Sequence, residues 1–232
     1  METPKDRFPK LIAAYAVLDE QRALHATLYL TISDAAGGQI YAADLFMQAA
    51  LKRSLDLLDA IVCLIDRWNF VAAGPLLRLQ IDTLLRLVYL ATLTNADEMA
   101  IAMLQGKRLK EKGASGKPLT DARMRELARP MYPWIDRVYS ETSKLIHFSD
   151  KHFFSPVTSV ADRTVETYFG VGMPHWNERD VAELLCAFGV STDAILKNVL
   201  GWIIHKDKAH GCTIADRLSE IRIPIPLMTT GA

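Results

Sequence analysis

The chain has 232 residues, 50% of them hydrophobic and 23% charged, which excludes a disordered protein and suits one large domain, or one domain with an insertion, with its own core. Lys and Arg number 27 and so do Asp and Glu, so the net charge is zero and no global attraction to nucleic acid or anionic lipid is expected; only a local basic patch can supply one. Cys63, Cys186 and Cys212 are odd in number, far apart and without a CxxC, which excludes a disulfide framework, and Cys63 and Cys186 read as small buried hydrophobes of a reducing compartment.

The N-terminal METPKDRFPK lacks the basic-then-apolar layout of a signal peptide, so the expected location is the cytoplasm. Residues 5–33 place Phe8, Leu11, Tyr15, Leu18, His25, Tyr29 and Ile32 on one helical stripe, interrupted by Arg22 and ended by the AAGG break at 35–38. A second helix over 40–67 carries a bundle seam of Leu51, Leu55, Leu58, Val62 and Ile65, with Asp44, Lys52, Asp56, Asp59 and Asp66 on its more polar sides. The third, 70–93, is apolar nearly all round; Gly74-Pro75 either delays its start or kinks it. A membrane span there would bury three charges at ~2.5–3.5 kcal/mol each, so it reads as a buried bundle helix and no membrane association is expected.

Asn95 with Glu98 resembles a capping box opening a fourth helix to about Lys110. Residues 106–120 form a basic loop containing Lys107, Arg108, Lys110, Lys112 and Lys117; it either guides RNA or simply keeps the loop solvated. Thr120 caps a short helix over 121–129, and Pro133 begins PWIDRVYSETSKLIHF. Residues 153–172 lack a helical stripe and are rich in Val, Thr, Tyr and Phe, which predicts a small β-hairpin turning near Ala161-Asp162 or an irregular loop. Asn177 with Asp180 opens a last long helix to about Lys206, whose apolar face is Val181, Leu184, Leu185, Phe188, Ile195, Val199 and Trp202, with Gly189 and Ser191 as points of bending. The tail, 221–232, has no helical period and is expected to be extended. The expected architecture is an all-α bundle of five or six main helices, one domain over 1–232, with the basic loop and the 153–172 insertion.

Two polar stripes stand out. Arg78, Asp82 and Arg86 lie within ~80° of one another on the apolar third helix, where a charge needs a partner or a ligand. Both Arg–Asp gaps are i,i+4, so Asp82 can pair with either arginine; the three either form an internal ion-pair network that fixes helix register or line a polar pocket with an arginine aimed at an anion. In YSETSKLIH, Tyr139, Ser143 and His147 are four apart, so one face shows a phenol, a hydroxyl and an imidazole, bordered by Lys144. Histidine is the side chain best suited to moving a proton near neutral pH. His152 is a lesser candidate, and His205, His210 and Cys212 lack a fourth neighbour for a metal set. No HExxH, Walker, GxGxxG or GxSxG motif occurs, and no cofactor is implied.

The combination of Arg78 and Asp82 in RLQID with Tyr139, Ser143 and His147 in YSETSKLIH resembles, over residues 40–150, a bacterial helical family related to the HEPN domains. That resemblance implies a metal-independent ribonuclease, or a component of a toxin or antiphage module with a protein partner, with an active site formed across a dimer by an arginine and a histidine a short stretch apart. Here the nearest upstream arginine of that helix is Arg137, rotated ~80° and ~15 Å along the axis from His147, so Lys144 or Arg78 would take its place. His147 would then be general base or acid, Arg78 the phosphate stabiliser held by Asp82, and Tyr139 and Ser143 the orienting groups, with Lys107, Arg108, Lys110, Lys112 and Lys144 meeting RNA. The rival expectation is a non-enzymatic helical binding or assembly protein in which the same residues form a structural network. The apolar content and amphipathic helices make a homodimer an expectation under both.

Overall fold

The computed structural model describes residues 2–107, 119–144, 146, 156–162, 164–170, 176–212 and 218. Among these are eight α-helices and a two-stranded antiparallel hairpin: α1 Pro4–Arg7, α2 Ile12–Asp34, α3 Ala42–Asp66, α4 Phe70–Ala91, α5 Ala96–Leu104, α6 Asp121–Ala128, α7 Ile135–Ser143, β1 Val157–Ala161, β2 Thr164–Thr167 and α8 Glu178–Ala209. The expected five or six helices is therefore too few. The continuous helix over 5–33 divides at Phe8-Pro9: Thr3 and Asp6 cap α1 reciprocally, Pro9 starts a single 3-10 turn, and α2 begins only at Ile12.

Local chemistry sets most other boundaries. Asn69 accepts the Ala72 amide and opens α4 ahead of Pro75, which lies inside the helix and does not delay its start. Asn95 accepts the Glu98 amide at 3.2 Å, but α5 stops at Leu104, short of Lys110, where Gly106 takes a φ of 83°. Thr120 caps α6, and the reciprocal Asn177–Asp180 box opens α8, which runs on to Ala209. Of the helix expected over PWIDRVYSETSKLIHF, Ile135–Ser143 is α-helical, and residues 145, 147 and 148 lie outside the described residues. In the insertion, Val160 pairs Val165 and Ala161 pairs Thr164, with Asp162 at φ 46° in the turn. The tail 221–232 and most of the basic loop lie outside the described residues.

Helices α2, α3, α4 and α8 pack on one another around the core; α5 lies on α3, and α6 and α7 lie on α4. Leu18, Leu28, Leu58, Ile61, Ile81, Leu84, Phe188 and Ile195 are fully buried, each worth ~1.5–3 kcal/mol relative to exposure. Leu28 takes the inward place expected for Tyr29, which is exposed. Cys186 is buried as expected, whereas Cys63 is exposed. Asp44, placed among the polar sides of α3 by its spacing, is fully buried. Ala36 reverses the chain between α2 and α3 at φ 55°, a conformation costing an alanine roughly 1–2 kcal/mol, and its amide is held by the buried Asp207 carboxylate at 3.2 Å. Among the described residues one helix, α8, is long and apolar enough to cross a membrane by length and composition, rather than residues 70–93; 61% of its most apolar window is buried in this fold.

Candidate functional site at the corner of α4, α6 and α7

The charged stripe on α4 is present, and of the two i,i+4 pairings open to Asp82 one forms, while the role that the family resemblance implied for Asp82 does not. Asp82 does not hold Arg78. It pairs with Arg86 at 2.8 Å and with Arg53 of α3 at 3.0 Å. The reason is directional: an acid one turn before a base is the favoured order on a helix, and Asp82–Arg86 has that order while Arg78–Asp82 reverses it.

Arg78 turns instead to α6 and α7. One of its terminal nitrogens donates to the Asp121 carboxylate at 2.8 Å, and its guanidinium carbon lies 3.9 Å from the Tyr139 ring centroid. Its side chain is only 10% exposed. The Tyr139 hydroxyl donates to the same Asp121 oxygen at 2.9 Å, so one carboxylate oxygen ties three helices together. Asp121 occupies the first position of α6, where free amides favour an anion. Burial works against its charge, yet the Tyr139 hydroxyl and the Arg78 guanidinium outweigh that and hold the carboxyl below the usual range.

A second guanidinium, Arg125 of α6, lies 4.3 Å from the same ring centroid and donates to Asp136 of α7 at 2.9 Å. Arg129 reaches the other Asp136 oxygen at 2.7 Å; its hydrogen bond is the first cause of a lowered Asp136 pKa. Arg86 also contacts the Met124 sulfur at 3.8 Å. The result is a continuous corner in which Arg53, Arg78, Arg86, Arg125 and Arg129 face Asp82, Asp121 and Asp136. Among the described residues five guanidiniums meet three carboxylates, two positive charges more than negative, and the buried Nε of Arg125 finds no acceptor.

The other expected site residues are placed as follows. Tyr139 joins Arg78. Ser143 spends its hydroxyl on the Tyr139 carbonyl one turn back, at 2.7 Å, and Lys144 pairs with Glu141 on the surface. The Lys107 amide closes the end of α5 on the Ala102 carbonyl, and its side chain is exposed. His147, His152, Arg108, Lys110, Lys112 and Lys117 lie outside the described residues. Among the described residues no group of three His, Cys, Asp or Glu side chains could hold a metal ion.

Sequence reasoning missed Asp121, Arg125, Asp136 and Arg129. A signal was present: in TDARMRELAR, Asp121, Arg125 and Arg129 repeat every four residues and so share a face. It also missed two buried polar sets. Lys206 of α8 donates to Asp44 at 2.8 Å and to the Ile32 carbonyl at 3.1 Å, while Asp44 also accepts from the Trp202 indole and the Tyr41 amide, each at 2.8 Å. Across the bundle, His25, Ser54, Gln80 and Thr192 form a chain within the core. No family model, no curated protein and no solved structure matches the chain.

Proposed function

We propose that the chain is a HEPN-like helical domain that engages the phosphate backbone of RNA at the α4–α6–α7 corner, acting in the cytoplasm as a metal-independent ribonuclease or as the RNA-engaging part of a toxin or antiphage module. The observation that carries this reading is the corner where, among the described residues, five guanidiniums face three carboxylates, with Arg78 and Arg125 on the Tyr139 ring and Arg53 and Arg129 more exposed at its edges; surplus cations favour an anionic ligand. Arg86 and Arg125, 23% and 26% exposed, keep N–H groups that a phosphate oxygen can accept from. Arg78 is closed off by Asp121 and Tyr139 and acts as a positioning residue that fixes the ring beside Arg125.

In this reading His147, four residues after Ser143 in the sequence, supplies the proton transfer: general base on a ribose 2′-hydroxyl or general acid toward the leaving 5′-oxygen. The guanidiniums stabilise charge on the phosphate in the transition state. A homodimer completes the site, as the family resemblance implies. We read α8 as a core helix because it buries Thr192, Asp193, Lys206 and Asp207 against its own bundle.

The rival reading is a non-enzymatic binding or assembly domain in which the corner only clamps α6 and α7 to α4; the saturated Arg78–Asp121–Tyr139 set favours it. Pure protein incubated with mixed RNA in EDTA separates the two. The ribonuclease reading expects cleavage that falls by about 100-fold or more in His147→Ala. Intact RNA after incubation with the wild type removes the nuclease, and cleavage that survives His147→Ala removes that residue from the mechanism.

A further inference from the structure

We propose that the buried chain Thr192–Gln80–Ser54–His25 is an acid-sensitive latch that joins α2, α3, α4 and α8 only while His25 is neutral. The proton order of the chain follows from its ends. The His25 Nδ1 lies 2.7 Å from the Gln21 carbonyl, which can only accept, so Nδ1 carries the ring proton. Nε2 is then an acceptor, and it takes the Ser54 hydroxyl proton at 2.9 Å. Ser54, having donated, accepts from the Gln80 amide nitrogen at 2.7 Å. The same nitrogen donates to Thr192 at 2.9 Å, whose hydroxyl donates to the Phe188 carbonyl at 3.0 Å. Four helices are linked by hydrogen bonds that run outward from the Gln80 amide nitrogen, through Ser54 to His25 and through Thr192 to the Phe188 carbonyl.

An imidazolium breaks the link at Ser54. Its Nε2–H would donate to Ser54, which would then accept from both His25 and Gln80, and the Ser54 hydroxyl proton would lose the acceptor that it has in His25. The charge would also sit at a residue 1% exposed. Burial, the first cause, lowers the His25 pKa against the opposing Gln21 hydrogen bond. The charged groups that reach the ring are Asp59 on α3, which favours the cation, and Arg22 on α2, which opposes it; α4 and α8 present Gln80 and Thr192, which do not titrate.

The pH window follows. The unfolded chain takes up the His25 proton near pH 6.5 and the folded chain only at lower pH, so stability is complete above about 6.5 and falls as pH drops toward the folded value. Asp121 and Asp136, both lowered, lose their contribution only below about pH 4, and Asp193, raised by burial, adds a slope of opposite sign.

Denaturant unfolding of the full chain at pH 7.5 and 5.0 reads the latch. The unfolding constant of the wild type should rise by up to about tenfold per pH unit across the lower window, and this rise should vanish in His25→Gln. Equal pH slopes in the two proteins would overturn the proposal. If His25→Gln does not fold, nitrogen chemical shifts of the wild-type imidazole decide: an Nδ1–H ring still neutral at pH 6 supports the latch, and an Nε2–H ring or one half-protonated at pH 6.5 or above overturns it. Neither readout depends on whether the α4–α6–α7 corner binds RNA.

Discussion

Replacing Asp44 with alanine is expected to destabilise the protein by about 3–5 kcal/mol, the loss typical of breaking a buried ion pair on one side. Asp44 is fully buried, and three donors converge on it: the Lys206 ammonium, the Trp202 indole and the Tyr41 amide. Removing the carboxylate leaves Lys206, whose side chain is 4% exposed, with only the Ile32 carbonyl among these partners. It also strips the N-terminus of α3 of the carboxylate that accepts its capping amide. Replacing both partners with apolar residues of similar volume, Asp44→Leu with Lys206→Met, should recover much of the loss, because the desolvation of both charges is then avoided. Equilibrium unfolding in urea measures both; an Asp44→Ala chain within 1 kcal/mol of the wild type, on the scale of ~1 kcal/mol for a typical point change, would show that the pair is not closed off from water.

Arg78→Ala should cost about 2–3 kcal/mol, set by one charge-assisted hydrogen bond and one cation–π contact. Its partner Asp121 is about a third exposed and keeps the Tyr139 hydroxyl, so water and Tyr139 limit the damage, and the loss stays below that of Asp44→Ala. Arg78→Lys keeps the charge but not the planar stack on Tyr139, so it should recover only part of the loss. Tyr139→Phe keeps the stack and removes the hydroxyl bond, at about 1 kcal/mol. The same unfolding experiment checks all three. A neutral Arg78→Ala that nonetheless abolishes RNA binding would mean that Arg78 faces the ligand and does not position its neighbours.

The sequence is most informative where the cause is local, although the local break at Pro9 and the early end of α5 before Gly106 escape the periodic pattern. The Asn177–Asp180 box, the Thr120 cap and the turn at Ala161-Asp162 depend on residues within a few positions of one another, and each lies where its pattern placed it. The seam of Leu51, Leu58 and Ile65 is buried for the same reason. Spacing leaves Asp82 open to either arginine and it takes Arg86, the better ordered neighbour; the partner of Arg78, Asp121, lies 43 residues away, where no local rule reaches. Asp44 and Lys206 are 162 residues apart, and His25 and Ser54 are 29 apart; nothing in the spacing of α3 announces that Asp44 and Ser54 turn inward. His25 did fall on the apolar stripe of its helix, which placed it in the core without naming what it meets there.

The central claim, that the excess guanidiniums of the α4–α6–α7 corner bind RNA phosphates, is tested most directly by the anisotropy of a labelled single-stranded RNA titrated with protein in EDTA at low and high salt. The account predicts binding by the wild type that weakens steeply with salt. It predicts affinity lower by about tenfold or more in Arg86→Ala/Arg125→Ala, with a salt slope shallower by roughly one per lost phosphate contact, in protein shown by circular dichroism to remain folded. Equal affinity and equal slope in a folded double variant, or no binding by the wild type at low salt, would contradict it.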